Sequence, residues 1–352
     1  MIEELLARGE IGGRTVQINA AGDVECSSYP RPRIGPGQVL VRTVRSAISP
    51  GTELTFVGRQ ATNVHLHKAW DPELRLFRSG TPALSYPLTF GYRASGEVVE
   101  SAVEEVPPGT RVWGNWRHTE FVLRDASVGG CVLPAGLSHD DGLDIGQMGP
   151  ICVNAVAFAD GRQEGQPVVV SGAGVIGLIT AQVARASGAA EVYVVDRLAG
   201  RLAVAAELGL RTLHASAHVD VAYELKRSLG ADALPVAWEC TGSTRALHEA
   251  IRAVRRRGLV VAVGFYQGEA AGLLLGDEFH HNGVQLVCSQ IGNVHPSWGL
   301  GRLRARTQEL AVEGRLVLGG LPRLTLPVER AAEGFAALSQ SQDVLQVALT
   351  YD

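Results

Sequence analysis

The stretch SGAGVIGLITAQVARASGAAEVYVVD, residues 171–196, decides the architecture of this 352-residue chain. It opens at the end of an apolar run, Val168-Val169-Val170, and turns on Gly172-Ala173-Gly174-Val175-Ile176-Gly177. A helical pattern follows, then a second strand-like run, AEVYVVD, closed by Asp196 19 residues after Gly177. G-x-G-x-x-G alone is a weak signal. Between a strand and a helix, with an acidic residue ending the next strand, it reads as a dinucleotide site. Gly172 permits the tight turn, Gly174 lets the backbone approach a pyrophosphate, and Gly177 lets helix and strand close on each other. The helix start at Val175 and Ile176 supplies free amides and the positive end of a dipole. The plain alternative is a glycine turn that binds nothing; strand, helix and Asp196 in register favour the dinucleotide. Asp196 also selects the cofactor, because a strand-end carboxylate accepts hydrogen bonds from the ribose hydroxyls of NAD and repels the 2′-phosphate of NADP. Arg197 and Arg201 lie close by and pull the other way, but the carboxylate outweighs them, so NAD is expected.

Outward from this stretch, strands and helices alternate from about residue 151. RLAGRLAVAAELG is a helix stopping at Gly209, and LPVAWECTG is a strand. STRALHEAIRAVRRRG is a helix capped by Ser243 or Thr244, and LVVAVGF is a further strand. Repeated strand–helix units imply an α/β fold, a doubly wound parallel sheet with helices on both faces. The first 150 residues differ. GGRTVQI, GQVLVRTVRSAI, ASGEVVES, GTRVWGNW and TEFVLR are short β-like runs between turn signals, which points to a compact barrel-like domain. Residues 57–86 carry His65, His67, Lys68, Arg75 and Arg78, show little strand pattern, and read as a long excursion that could form a lid. The end of the chain is mixed, with helices near 301–314 and 328–339 and a closing strand, DVLQVALTYD.

Composition narrows the class. Hydrophobic residues at 46%, charged residues at 19% and 42 glycines fit a soluble α/β chain. A net charge of −4 gives no footing for nucleic acid or an anionic membrane. No apolar run nears the roughly 18–20 residues of a membrane span. The acidic opening MIEELLARGE lacks a secretory pattern, so a cytoplasmic location is expected. The five cysteines, Cys26, Cys131, Cys152, Cys240 and Cys288, are never closer than 21 residues, which favours neither a zinc lobe nor a disulfide framework.

With these pieces in place, the chain resembles the medium-chain dehydrogenase/reductase superfamily over nearly its whole length. The resemblance is carried by GPGQVLVRTVRSAISPGTEL, FGYRASGEVV, HTEFVL, SGAGVIGLITAQVARASGA, VVDRLAGRLAVAAELG, ECTGSTRALHEAIRAVRRRGLVVAVGF and VLQVAL. It implies a GroES-like β-rich catalytic domain, 1–150 completed by 292–352, and a Rossmann NAD-binding domain at 151–291, with an active-site cleft where they meet. It also implies a small-molecule substrate, a dimeric assembly, and a cofactor or substrate lining from Thr241, Gly264, Phe265, Tyr266, Ser289 and Gln290.

Zinc-dependent members of that superfamily bind their catalytic metal at three motif positions. The Cys of Cys-Gly-Thr-Asp is here Pro50, in Pro50-Gly51-Thr52-Glu53; the His of Gly-His-Glu is here Tyr92, in Gly91-Tyr92-Arg93; a Glu or Cys before the interdomain helix is here Gly149. Proline and glycine side chains cannot bind a metal, and one tyrosine cannot hold Zn²⁺. The four-cysteine lobe is absent too, since WGNWRHTEFV runs straight through. No metal is expected. SAISPGTEL, GYRASGEVV, HTEF and EFHHNGVQLVCSQIG look like a zinc-free branch that includes bacteriochlorophyllide dehydrogenases.

Without a Lewis acid, a side chain must manage the hydroxyl proton. Tyr92 is either that group or a filler for the vacated metal position. A phenol with a pKa of about 10 needs a nearby cation to act as a base near neutrality. Arg93, one residue on, alternates to the opposite face. Thr52 matches the hydroxyl that relays the proton in zinc members. Glu53 matches a carboxylate behind the metal ligands, which orients a loop or takes part in catalysis. His118 has the pKa range of a proton shuttle, or is structural. His280 and His281 are adjacent and unsuited to one ion, so they are structural or at a subunit interface. The resulting expectation is a zinc-independent, NAD-dependent oxidoreductase interconverting a secondary alcohol and a ketone on a sugar, polyol or secondary-metabolite substrate. Two alternatives stay open. One is a zinc-free enoyl or quinone reductase using NADPH, against which Asp196 counts; the other is a catalytically silent dinucleotide-binding protein.

Overall fold

The computed structural model describes residues 12–58, 61–80, 82–341 and 344–352. The acidic opening stretch, positions 59, 60 and 81 of the excursion, and Asp343 of the closing run lie outside the described residues. Among the described residues, no helix is long and apolar enough to cross a membrane. The chain divides into two compact units: the segment up to Gly146 together with Arg323–Asp352, and Gln147–Pro322.

The strands of the first unit are β1 (Gly13–Ile18), β2 (Val24–Tyr29), β3 (Gln38–Ile48), β4 (Lys68–Asp71), β5 (Leu76–Ser79), β6 (Leu88–Thr89), β7 (Ala94–Ser101), β8 (Arg111–Gly114) and β9 (Phe121–Asp125), followed by helix α1 (His139–Ile145). β3 is the organising strand. It buries Val39–Val41 and Ser46–Ile48 on both faces, as its near-continuous apolar sequence demands. It pairs with β7 along one edge, with bulges between Leu40 and Val41 and between Thr43 and Arg45. Its other edge takes β9 against Gln38–Arg42. The excursion at 57–86 is not strandless as expected: β4 and β5 form an antiparallel hairpin with Trp70 opposite Phe77, their rings edge-on at 5.0 Å. Four-residue strands are too short to show a period. This hairpin is set by the cross-strand aromatic pair and by Asp71, whose carboxylate accepts from the Glu73 and Leu74 amides in the turn.

The second unit holds six parallel strands, β10 (Pro167–Ser171), β11 (Glu191–Asp196), β12 (Arg211–His214), β13 (Val236–Glu239), β14 (Leu259–Ala262) and β15 (Gln285–Cys288). Their order is β12-β11-β10-β13-β14-β15, a Rossmann topology whose order reverses between β10 and β13. Its helices are α2 (Met148–Ala157), α3 (Val175–Ala186), α4 (Ala199–Glu207), α5 (Val221–Leu229), α6 (Thr244–Ala253) and α7 (Leu300–Val312). β13 and β14 are buried throughout; β14 reads as an unbroken apolar run, and β13 as one closed by Glu239. Ser243 is the N-cap of α6, and Leu247, Ala250, Ile251 and Val254 pack with Leu225 and Val260.

Residues 292–322, expected with the catalytic domain, belong to the second unit. α7 packs on α2, with Thr307 directly against Gly149, and Gln182 of α3 accepts from the Val317 amide. The chain returns to the first unit only at Arg323, with β16 (Leu324–Pro327), α8 (Ala331–Gln340) and β17 (Val347–Thr350). β17 lies antiparallel to β3, Leu349 opposite Ser46, and completes the sheet β16-β17-β3-β7-β8.

The start of α1 carries a pH-sensitive group. Ser138 and Asp141 form a capping box there, and His139 at the first helical position hydrogen-bonds Ser95 Oγ at 2.8 Å. Burial first, then Arg111 and Arg45, push His139 down to about 4. The unfolded chain, with histidine near its usual value of about 6.5, therefore binds the proton more readily. The His139 contribution to stability is full above that value and is lost as pH falls toward about 4. Denaturant unfolding at about pH 7 and about pH 4.5 should show a smaller acid loss in His139→Gln than in the parent. Equal acid losses would remove His139 from the account.

Candidate active site

The glycine loop of the second unit has the close backbone packing and open face that a dinucleotide would need. Gly172 follows β10 with φ at +103°, and its amide donates to Val195 O at 2.7 Å. A Cβ on Gly177 would sit 1.7 Å from Gly172 O, so helix and turn touch backbone to backbone. Gly174 differs: a Cβ there would meet only Arg201 Nη1, at 4.0 Å, leaving the loop surface open. α3 begins at Val175 with no side-chain cap, so the amides at Val175 and Ile176 face outward as anion donors. Asp196 ends β11, accepting from Ala173 N at 2.7 Å through Oδ2 and from Leu198 N at 2.9 Å through Oδ1. That ties it to the loop while each oxygen keeps a second lone pair. Arg197 is exposed and its carbonyl meets His214 Nε2. These residues fit a dinucleotide.

Thr241, Gly264, Phe265, Tyr266, Ser289 and Gln290 follow β13, β14 and β15, at the same carboxyl end of the sheet as the glycine loop. What joins two of them, Thr241 and Tyr266, is Glu239, which the sequence did not single out. Its buried carboxylate accepts from the Thr241 amide at 2.7 Å, the Thr241 hydroxyl, the Gly242 amide at 3.1 Å and the Tyr266 hydroxyl. A Cβ on Gly264 would lie 2.2 Å from Gly242 N. Asn154 of α2, also unmarked in the sequence, holds the loop after β15 by donating to Ser289 O and Asn293 O and accepting from His295 N. Phe265 and Gln290 are exposed; Ser289 is buried. His280 and His281 occupy a single helical turn, their rings edge-on to each other, with His281 bonded to Asp277 O.

In the first unit the four proton-handling candidates come together. The turn after β3 places Ser49, Thr52 and Glu53 side by side, with the Thr52 and Glu53 amides both donating to Ser49 O. Tyr92, just before β7, donates its hydroxyl to Ser49 Oγ, and Thr52 also hydrogen-bonds it. Glu53 and His118 are buried and joined at 2.9 Å. Burial foremost, then the Glu53 charge, push the Tyr92 phenol above its usual range. A base near neutrality needs the reverse, a cation beside the phenol. Arg93 does not supply one at close range. It turns the other way, into a buried pair with Asp144 of α1 at 2.6 Å and a bond to Gln346 at 2.9 Å. Tyr92 is therefore a protonated donor.

The three zinc-ligand positions do not suit a metal. Pro50 has no donor atom, the Tyr92 hydroxyl is engaged by Ser49, and a Cβ on Gly149 would lie 2.1 Å from Thr307 Cγ2. Among the described residues, no group of three or more His, Cys, Asp or Glu side chains is placed to hold a metal ion.

A family model described as zinc-binding dehydrogenase matches residues 175–300, a stretch that includes none of the three ligand positions. D-guloside 3-dehydrogenase of Shigella flexneri is 32% identical over 307 residues, 82% of this chain and 85% of that protein. Sorbitol dehydrogenase of Rattus norvegicus is 28% identical over 295 residues, 73% of this chain and 76% of that protein. Among solved structures, 2R,3R-butanediol dehydrogenase from Bacillus subtilis has the same fold, with a TM-score of 0.77 at 21% identity over 97% of this chain and 100% of that one.

Proposed function

The chain belongs to the medium-chain dehydrogenase/reductase superfamily, and from that membership we propose that it is a zinc-independent, NAD-dependent oxidoreductase interconverting a secondary alcohol and a ketone on a polyol or sugar. The observation that carries the proposal is the hydroxyl cluster of Tyr92, Ser49 and Thr52 beside a buried carboxylate, where zinc members place their metal. NAD, which Gly172, Gly174, Gly177 and Asp196 would hold, would supply the hydride acceptor. Tyr92 hydrogen-bonds the substrate oxygen and, having a raised pKa, gives its proton to the developing alkoxide during ketone reduction. Alcohol oxidation is the reverse. Thr52 orients the phenol by the hydrogen bond it shares with it.

The test is an oxidation assay with sorbitol, a D-guloside and 2R,3R-butanediol, run with NAD and NADP, with and without chelator. Turnover that survives chelation in protein free of zinc by elemental analysis supports the proposal. Activity lost with one zinc per chain rejects it.

Cofactor choice has its own test. Asp196→Ser should narrow the preference for NADH over NADPH by about 10- to 100-fold, the scale of one hydrogen bond to a charged group, with Arg197 and Arg201 free to assist a 2′-phosphate. Because Asp196 also ties down the loop, the ratio of the two affinities is the quantity to read, by fluorescence titration. Equal affinities in the parent protein reject NAD selection.

A further inference from the structure

A buried line of hydrogen bonds starts at Glu53. Its Oε2 meets His118 Nε2 at 2.9 Å, His118 Nδ1 meets Ser46 Oγ at 2.8 Å, and Ser46 Oγ meets the Tyr351 hydroxyl at 2.8 Å. None of the four side chains is more than 1% exposed. Tyr351 is itself pinned, since Arg14 and Arg42 both donate to its carbonyl, at 3.0 and 2.7 Å. Burial pushes the Tyr351 phenol up, so it keeps its proton.

Counting donors gives the line one direction. Ser46 Oγ is the only partner of the Tyr351 hydroxyl among the described residues, so the phenol proton goes there. Ser46 then gives its own proton to His118 Nδ1, and His118 carries its ring proton on Nε2 and gives it to Glu53. A doubly protonated imidazole would set two donors on Ser46 Oγ and leave the serine proton without an acceptor. One oxygen of Glu53 is thus held by a donor. The other, Oε1, is buried with no hydrogen-bond partner among the described residues, on the same turn that presents Ser49 and Thr52 to Tyr92.

We infer that Glu53 Oε1 is the proton station behind Tyr92, and that Ser46 and Tyr351 are positioning residues that hold it there through His118. The inference rests on the reading of Tyr92 given above. In ketone reduction the carbonyl carbon gains a hydride as NADH is oxidised to NAD. Glu53, ionised beside the resting phenol, first takes a proton from solvent; the substrate oxygen then takes the Tyr92 proton, the Glu53 proton replaces it on the phenol, and the carboxylate left behind is stabilised by His118 Nε2–H. Alcohol oxidation runs in reverse and leaves Glu53 protonated.

Two readouts test this. Imidazole proton–nitrogen NMR, with His118 assigned by its loss in His118→Asn, should show a single ring proton on Nε2. A ring proton on Nδ1 overturns the inference, because Glu53 would then be the donor. The second readout is turnover on the fastest alcohol of the panel above. Glu53→Gln should cut it about 10²-fold in the parent but no more than about twofold further in Tyr92→Phe, because both act on one proton. Equal factors in the two backgrounds overturn the inference and leave the Tyr92 reading standing; parent-like turnover in Tyr92→Phe overturns both. Tyr351→Phe keeps the ring and carries the positioning claim. It should lose about tenfold in kcat at unchanged KM, and none of that in Tyr92→Phe. A lower Tm with unchanged kcat overturns the positioning role.

Discussion

Tyr92→Phe should lower turnover by about 10²–10⁴, the scale for losing a positioned acid or base, while NADH titrates as in the parent. The substitution keeps the ring and removes only the hydroxyl that Ser49 accepts. Packing is preserved, and the stability change should stay near the worth of one hydrogen bond, about 1 kcal/mol. The proposed cofactor residues, Gly172 to Gly177 and Asp196, belong to the other unit and do not include Tyr92. Steady-state kinetics on the polyol panel, paired with thermal unfolding, makes the check. A space-filling tyrosine gives near-parent turnover; a proton donor does not.

Arg93→Met should cost about 3–5 kcal/mol of folding stability, the loss expected when one partner of a buried ion pair is removed. Arg93 and Asp144 are 1% and 0% exposed, and burial already pushes the Asp144 carboxyl up. Removing the guanidinium strengthens that push. A carboxyl whose folded pKa is raised destabilises once pH exceeds its unfolded value, so the variant should regain stability relative to the parent as pH falls toward about 4. The double variant Arg93→Met/Asp144→Asn, with neither charge of the pair left, should recover most of the loss at neutral pH. Urea unfolding of the three proteins decides it; two additive losses would show that the pair is not coupled.

The glycine loop was legible because its requirements are local. Gly172 and Gly177 are dictated by backbone approach within a few residues, and Asp196 by its place at the end of the next strand. The grouping of Tyr92, Thr52, Glu53 and His118 was reachable through motif positions. Their electrostatics were not, since nothing in Gly-Tyr-Arg says that Arg93 turns toward Asp144 and leaves the phenol beside Glu53. Ser46 and Ser49 sit in a quoted motif, SAISPGTEL, yet a serine carries no periodic or charge signal to mark it. Tyr351 was hidden by distance along the chain. Glu239 lay inside ECTG, where an acidic residue closing an apolar run is the one clue to a buried carboxylate. The 57–86 hairpin and the boundary at 323 both depended on packing partners: Trp70 against Phe77, and Thr307 against Gly149.

The pairing of β17 with β3 has a consequence for biosynthesis. Ser46 and Tyr351 are 305 residues apart, and the whole second unit is spelled out between them. At about 5–20 residues per second, a ribosome needs roughly 15–60 s to pass from one to the other. The second unit is continuous and can close as soon as its own sixth strand and α7 emerge. β3, the most apolar strand of the first unit, meanwhile waits with one stretch of its edge, Arg45–Ile48, unpaired. The nascent chain thus completes its second unit early and carries an open, aggregation-prone strand end until the last elements arrive. Chaperone dependence during synthesis, rather than equilibrium stability, should set the yield of this protein.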